Sequence, residues 1–373
     1  MDRVKIECDS ENGSLGKVGQ YVSPAHLRHS PEGRRDAGAT LAILAVFAAW
    51  STFASASYGT PVEAFQTLTI ERGNLSVLLR DNALSPGLLS GVDSLFNKTD
   101  APGFDAFDPD DRGASAGLNF EHIICGHSNK FNAFAPRRGR YDLFKQPDGY
   151  SAMLIRKAEA DPWSMPSTLK YTVTEPNSID FEFECRAHHK ELFGSRGYAV
   201  LFFADYMNDV ADMAIRFRGV PGPGQTERWI SVDAPPGNPD YNHGGTYTSQ
   251  AAPALEYDTN HNFKLNLWSY DYPRFTQPFY YGLAAHGMTL ILMFDRMYSV
   301  EDEIRFSLFK FKVPRRPRPA WDFQYVIHQV QENHPYGFRG RLIWKKFISP
   351  EDCQEEYRRW QAGLSKAGSR DKK

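Results

Sequence analysis

The chain has 373 residues, 41% of them hydrophobic and 14% aromatic, which suffices for one large core or two ordinary ones. Its 43 basic and 45 acidic side chains nearly cancel, giving a net charge of −2. Without a basic face or a long charge run, nucleic-acid binding is not expected.

The first segment reads as a leader over residues 1–56. Arg34 and Arg35 precede the apolar run Leu41–Ala54, and Ala54-Ser55-Ala56 follows as a small-x-small cleavage pattern. The order basic, apolar, cleavable predicts export to the periplasm or the medium. The stretch Ala37–Ala56 is also about one bilayer long, so an uncleaved N-terminal anchor is the other expectation. Residues 57–373 are then expected to form a single domain. Of the four cysteines, Cys8 lies in the leader. Cys125, Cys185 and Cys353 form no CxxC pair, which leaves buried thiols or one disulfide plus a free thiol.

Strand signals dominate the rest. Phe65–Gly73 and Leu75–Asp81 predict a hairpin turning at Gly73-Asn74. Ala101–Ala116, rich in Gly, Pro and Asp, predicts a long loop. From Tyr150 the strands come in quick succession. Ser178–Cys185 alternates cleanly, with Ile179, Phe181, Phe183 and Cys185 on one face and Asp180, Glu182 and Glu184 on the other. Gly197–Tyr206 is almost wholly apolar, as a strand buried on both faces would be. Further strands are expected at 213–219, 227–233, 264–271, 288–295, 304–313, 323–328 and 340–347, with Pro314–Trp321 as a bend. A single helix is expected at the C-terminus: Ser349 as N-cap, Pro350 at the first position, Glu351 and Asp352 in the first turn. Roughly 14 to 16 strands without βαβ alternation predict an all-β protein, a large antiparallel sandwich with a short C-terminal helix.

Four clusters are candidates for chemistry. Thr259–Gly282 mixes rings, amides and an Asp–Arg pair, the composition of a sugar site in which an aromatic face stacks on C–H groups and polar side chains bind hydroxyls. Its candidate substrate-binding residues are Asn262, Asn266, Trp268, Tyr270, Arg274, Gln277, Tyr280 and Tyr281, with Asp271 as an acid. The alternative is that its rings fill the core. Asn119–Phe144 holds His122 and His127, which fall on opposite faces of a strand unless Gly126 turns the chain. General acid–base work suits these histidines better than zinc, for which no third ligand is evident. Arg137, Arg138 and Arg140 follow, suited to the carboxylate of a uronic acid, with Arg138 as the substrate-binding candidate. Phe202–Asp212 ends an apolar strand in Asp205, Tyr206, Asn208, Asp209 and Asp212. Those acids leave room for calcium, but their spacing is not that of an EF-hand, and no other cofactor motif is present. Leu255–Phe263 adds Glu256, Asp258 and His261. No GxSxG, Walker loop, HExxH or GxGxxG element occurs.

The run Thr259–Leu267 (TNHNFKLNL) is similar to the mutarotase motif in which an Asn-His pair precedes an aromatic and Asn-Leu, and Asn242–Gly245 (NHGG) to that family's His-Gly-Gly element. The chain therefore resembles galactose mutarotase-like supersandwich proteins. The resemblance implies His261 as the acid on a sugar ring oxygen and points to His243. The expected function is action on, or binding of, a sugar or polysaccharide, epimerase- or lyase-like, with His122, His127 or His261 near Asp205, Glu256 or Asp271. The other expectation is a non-catalytic carbohydrate-binding or cell-envelope protein. A histidine within about 3.2 Å of a carboxylate facing a cleft separates the two.

Overall fold

The computed structural model describes residues 64–82, 88–107, 116–125, 134–233, 243–253, 255, 266–268, 273–312 and 317–370. Among them the chain is mostly antiparallel β-structure closed by one C-terminal helix. No helix among the described residues is long and apolar enough to cross a membrane.

Three sheets are formed. The 11-stranded sheet runs, in spatial order, Ala64–Phe65, Asp142–Lys145, Ser151–Arg156, Ser167–Thr174, Ser178–Arg186, Pro335–Lys346, Met288–Arg296, Phe279–Ala284, Val210–Val220 and Arg228–Val232, with Arg274–Phe275 beside Val210–Val220. The 6-stranded sheet runs Asn266–Trp268, His243–Tyr247, Glu303–Lys312, Pro317–Ile327, Ala199–Ala204 and Asn119–Cys125. Its outermost pair, His243–Tyr247 with Asn266–Trp268, is parallel. The 4-stranded sheet runs Thr67–Arg72, Leu75–Arg80, Gly91–Asn97 and Ala101–Asp105, and contains the predicted hairpin.

The 11- and 6-stranded sheets pack face to face through rings. Phe181 meets Phe323, Phe183 meets Phe203, and Phe203 and Phe323 lie stacked with centroids 4.9 Å apart. Tyr280 meets Phe306 from across the same interface. Such ring pairs add roughly 0.5–1.5 kcal/mol each beyond the area they bury. The alternation in Ser178–Arg186 supplies this interface from one side, with Ile179, Phe181, Phe183 and Cys185 all buried.

The opposite face of the 11-stranded sheet is covered by the helix Pro350–Arg370. Cys353, Tyr357 and Trp360 pack on Phe279, Tyr281, Ile291, Met293 and Ile343. The Asp352 N–H donates to Ser349 Oγ at 3.1 Å, the expected cap. Phe279–Ala284 and Met288–Arg296 are apolar on both faces because both faces are covered.

Three differences from expectation concern chain breaks. Ala101–Asp105 is a strand, since its edge position tolerates Pro102 and Gly103. Pro317–Ile327 begins earlier than expected, with Pro317 and Pro319 inside it. That end pairs continuously with Glu303–Lys312, whereas the pairing with Ala199–Ala204 begins only at Phe323, so the missing N–H groups cost no ladder bond on the second side. The helix runs on to Arg370. Cys125, Cys185 and Cys353 are free and buried.

Candidate functional site

The face of the 6-stranded sheet turned away from the ring-packed interface is mixed, with a polar stretch beside an apolar one of Ile124, Val200 and Val326. Along Glu303–Lys312, Ile304, Phe306 and Leu308 enter the core while Glu303, Arg305 and Ser307 lie on the other face, yet all are buried. Cross-strand register puts Thr246, Ser307 and Asp322 in one row and Arg305, Gln324, Phe202 and His122 in the next. Thr246 and Ser307 share a hydroxyl contact at 3.2 Å, and Gln324 Nε2 donates to Thr246 Oγ1 at 3.2 Å.

One end of this face holds a carboxylate centre at Glu121. The ladder between Asn119–Cys125 and Ala199–Ala204 slips: His122 pairs with Phe202 but Phe120 pairs with Phe203, so Glu121 is the extra residue of a bulge. Phe120 faces the core against Phe183 and Phe203, and His122 faces the other way, stacked on Phe202 at 4.2 Å. The bulge brings two sequential side chains together that a regular strand would separate: Glu121 Oε2 is 3.6 Å from His122 Nδ1. Arg137, from the turn of helix Ala135–Arg138, donates to Glu121 Oε1 at 2.7 Å and to the Tyr206 hydroxyl at 3.3 Å. The Tyr206 hydroxyl itself donates to Glu121 Oε1. Tyr206 and Arg137 are half-buried and reach the surface; Glu121 and His122 lie beneath them.

The electrostatics are those of an ionised carboxylate paired with the Arg137 guanidinium, with the Tyr206 phenol and the His122 imidazole beside it. Burial alone would push Glu121 up, but the contacts with His122, Arg137 and Tyr206 hold it below the ordinary glutamate value. Burial drives His122 down, which favours the neutral imidazole. Burial, and next the adjacent Glu121 charge, drive the Tyr206 phenol well up. Asp322, in the next strand, is raised well above its ordinary value by burial and by the nearby Glu121 and Asp205 charges.

Asp205 stands behind this centre, between the sheets. Its Oδ1 accepts the Leu118 N–H at 2.8 Å, and Tyr171 donates to the Leu118 carbonyl at 2.9 Å. Leu118 has φ of 48°, and these two bonds hold it in that left-handed conformation, which costs about 1–2 kcal/mol for a residue with a Cβ. Asp205 therefore braces the entry to the bulged strand and does not face the polar surface.

The other end of the face holds a second carboxylate, Glu303. Arg305 grips it with Nε at 2.7 Å and Nη2 at 3.0 Å, and His328 Nε2 lies 2.6 Å from Glu303 Oε1. Burial opposes its ionisation, but the His328 and Arg305 contacts outweigh that and hold Glu303 low. At 2.6 Å this histidine–carboxylate contact is well inside hydrogen-bond distance. These residues were not among the sequence candidates; the signal was the spacing of Glu303, Arg305 and Ser307 on one face of the strand.

Of the sequence candidates, the structure brings His122 to the first centre, with Asp205 behind it. Tyr280 is a core residue whose hydroxyl donates to the Trp321 and Asp322 carbonyls, so its ring cannot face a ligand. Tyr281 is packed beneath the C-terminal helix, on Phe347 and Trp229. Gln277 accepts from Gln354 of that helix at 3.0 Å. Arg274 begins a short strand beside Val220 on the 11-stranded sheet. Arg138 is exposed; its neighbour Arg137 makes the contact with Glu121. Asn266 and Trp268 lie in the edge strand of the 6-stranded sheet. His127, Glu256, His261, Asn262, Tyr270 and Asp271 lie outside the described residues.

No family model matches the chain, and no curated protein matches it. Solved structures do. A GalM/aldose epimerase homologue from C. elegans is similar at 9% identity and a TM-score of 0.39, over 77% of this chain and 100% of that one. A heparan sulfate lyase from Pedobacter heparinus is similar at 8% identity and 0.37, over 76% and 35%. The galactosidase domain of an alpha-galactosidase-sucrose kinase is similar at 8% and 0.38, over 76% and 42%. The chain thus spans about a third of the lyase and less than half of the galactosidase structure. At TM-scores below 0.5 these likenesses carry neither a family nor a residue role to this chain.

Proposed function

We propose that this is an exported carbohydrate-active enzyme that moves a proton on a sugar or uronic acid, by epimerisation or β-elimination, at the centre built from Tyr206, Glu121, Arg137 and His122. The observation that carries the reading is the contact between the Tyr206 hydroxyl, Glu121 and Arg137 at the surface end of a polar sheet face. A proton taken from the ligand by the Tyr206 oxygen is matched by passing the phenol's own proton to Glu121, and Arg137 balances the charge while it moves. His122, favoured as the neutral form, is the second proton carrier.

A non-catalytic sugar-binding or envelope protein is the second reading. One observation favours it: Glu121 is already satisfied by Arg137 and Tyr206, as a purely structural buried carboxylate would be. Polarimetry on aldoses and ultraviolet detection of unsaturated product from uronate oligosaccharides separate the two. Tyr206→Phe should lower turnover by about 10²–10⁴-fold with little change in sugar affinity. Wild-type protein that binds sugar but turns none over supports the second reading instead.

A further inference from the structure

Away from the polar face, two connections meet where the neighbouring strands Ser178–Arg186 and Pro335–Lys346 end, at the rim of the 11-stranded sheet. Ala187 and Glu332 form a parallel bridge, the Asn333 N–H donates to the Ala187 carbonyl at 2.8 Å, and Arg186 Nη1 donates to the Asn333 carbonyl at 3.0 Å. The first connection then turns through Lys190–Phe193. This pairing gathers His189, Glu191 and Glu332, whose donor atoms all lie within 4.8 Å of one another. His189 Nδ1 is 3.4 Å from Glu191 Oε1. All three side chains are exposed, and none is needed for the core.

We propose that His189, Glu191 and Glu332 bind a divalent transition-metal ion that ties the two connections together. One imidazole nitrogen and two carboxylates are a mixed donor set suited to Zn²⁺ or Co²⁺, whereas Ca²⁺ prefers six or more oxygens. Three protein donors leave a fourth tetrahedral position for water, so the site is an open one. It is independent of the Glu121 centre and of the sugar reading, and it does not enter that chemistry.

The test is titration of the full chain with Zn²⁺ by calorimetry, repeated with Co²⁺ while following its visible absorption. A single site should bind Zn²⁺ and raise the thermal midpoint, Co²⁺ should give the strong visible bands of a low-coordinate site, and Ca²⁺ should do neither. His189→Ala and Glu332→Gln should each weaken Zn²⁺ binding at least tenfold, while His188→Ala leaves it unchanged. Because these side chains are exposed, the variants should keep the wild-type midpoint without metal. Zn²⁺ binding unaffected by His189→Ala and Glu332→Gln, equal binding of Ca²⁺, or no binding at all would each overturn the proposal.

Discussion

The two ends of the polar face solve one problem differently. Each buries a glutamate and keeps it ionised with an arginine and a histidine. At Glu303 the arginine lies two residues along the same strand, on the same face, and grips both oxygens. At Glu121 the arginine arrives from a separate turn, a tyrosine from another strand's end, and a bulge tilts the carboxylate toward its own neighbour His122. The first arrangement needs only His328 from a second segment. The second exists only when three segments meet, and it alone places a hydroxyl and a guanidinium at the surface beside the carboxylate. A strand can hold a charge by local alternation, but a group able to move a proton needs partners from elsewhere.

Removing each arginine breaks this comparison most directly. Arg305→Met should strand Glu303 in a fully buried position and cost about 3–5 kcal/mol in urea unfolding. A loss below about 1 kcal/mol would mean that His328 alone sustains the charge.

Next in size is a pH effect confined to the Glu121 end. Burial pushes Asp205 up to about 7, above an unfolded value of about 3.9. A carboxyl raised in the folded state contributes fully at low pH, and its contribution is lost as pH rises through the folded value. Wild-type stability should therefore fall by up to about 4 kcal/mol between roughly pH 4 and pH 8. Asp205→Asn keeps the Leu118 acceptor and should flatten much of that slope. Asp322 shifts in the same direction and should retain the remainder. An unchanged slope in Asp205→Asn would move the effect entirely to Asp322.

Arg137→Met should cost less than Arg305→Met, about 1–3 kcal/mol, because Tyr206 still donates to Glu121 and water reaches the half-buried site. Equal losses at the two arginines would erase the distinction between the ends. The smallest effect calibrates the others: Ser349→Ala removes the helix cap, far from both centres, and should cost about 1 kcal/mol. It should add to the Arg305→Met loss within about 0.5 kcal/mol if the two sites are independent.

Several structural features were legible in the chain itself. Period-2 alternation in Ser178–Arg186 named the buried face residue by residue, and Ser349-Pro350-Glu351 marked the helix start. The hairpin at Gly73-Asn74 followed from turn chemistry. Tyr206 was visible because polar groups ending an apolar strand are conspicuous, and His122 as one of a histidine pair suited to acid–base work. The aromatic run after Arg274 misled, since the same rings serve a ligand or a core, and Tyr280 and Tyr281 went to the core. Arg137 and Arg138 cannot be told apart from composition; which one meets Glu121 depends on the direction of a single helical turn.

What the sequence by itself determined is the class: alternating and doubly apolar strands, few helix signals and abundant rings can satisfy their backbone and bury their faces only as stacked antiparallel sheets. What the tertiary structure decided is which polar residues meet. Alternation states which side of a strand a residue takes, but not whether that side faces water or lies buried, and only the assembled sheets bury Glu303, Arg305 and Ser307. The bulge at Glu121 is a register slip between two strands, and register belongs to the pair, not to either strand alone.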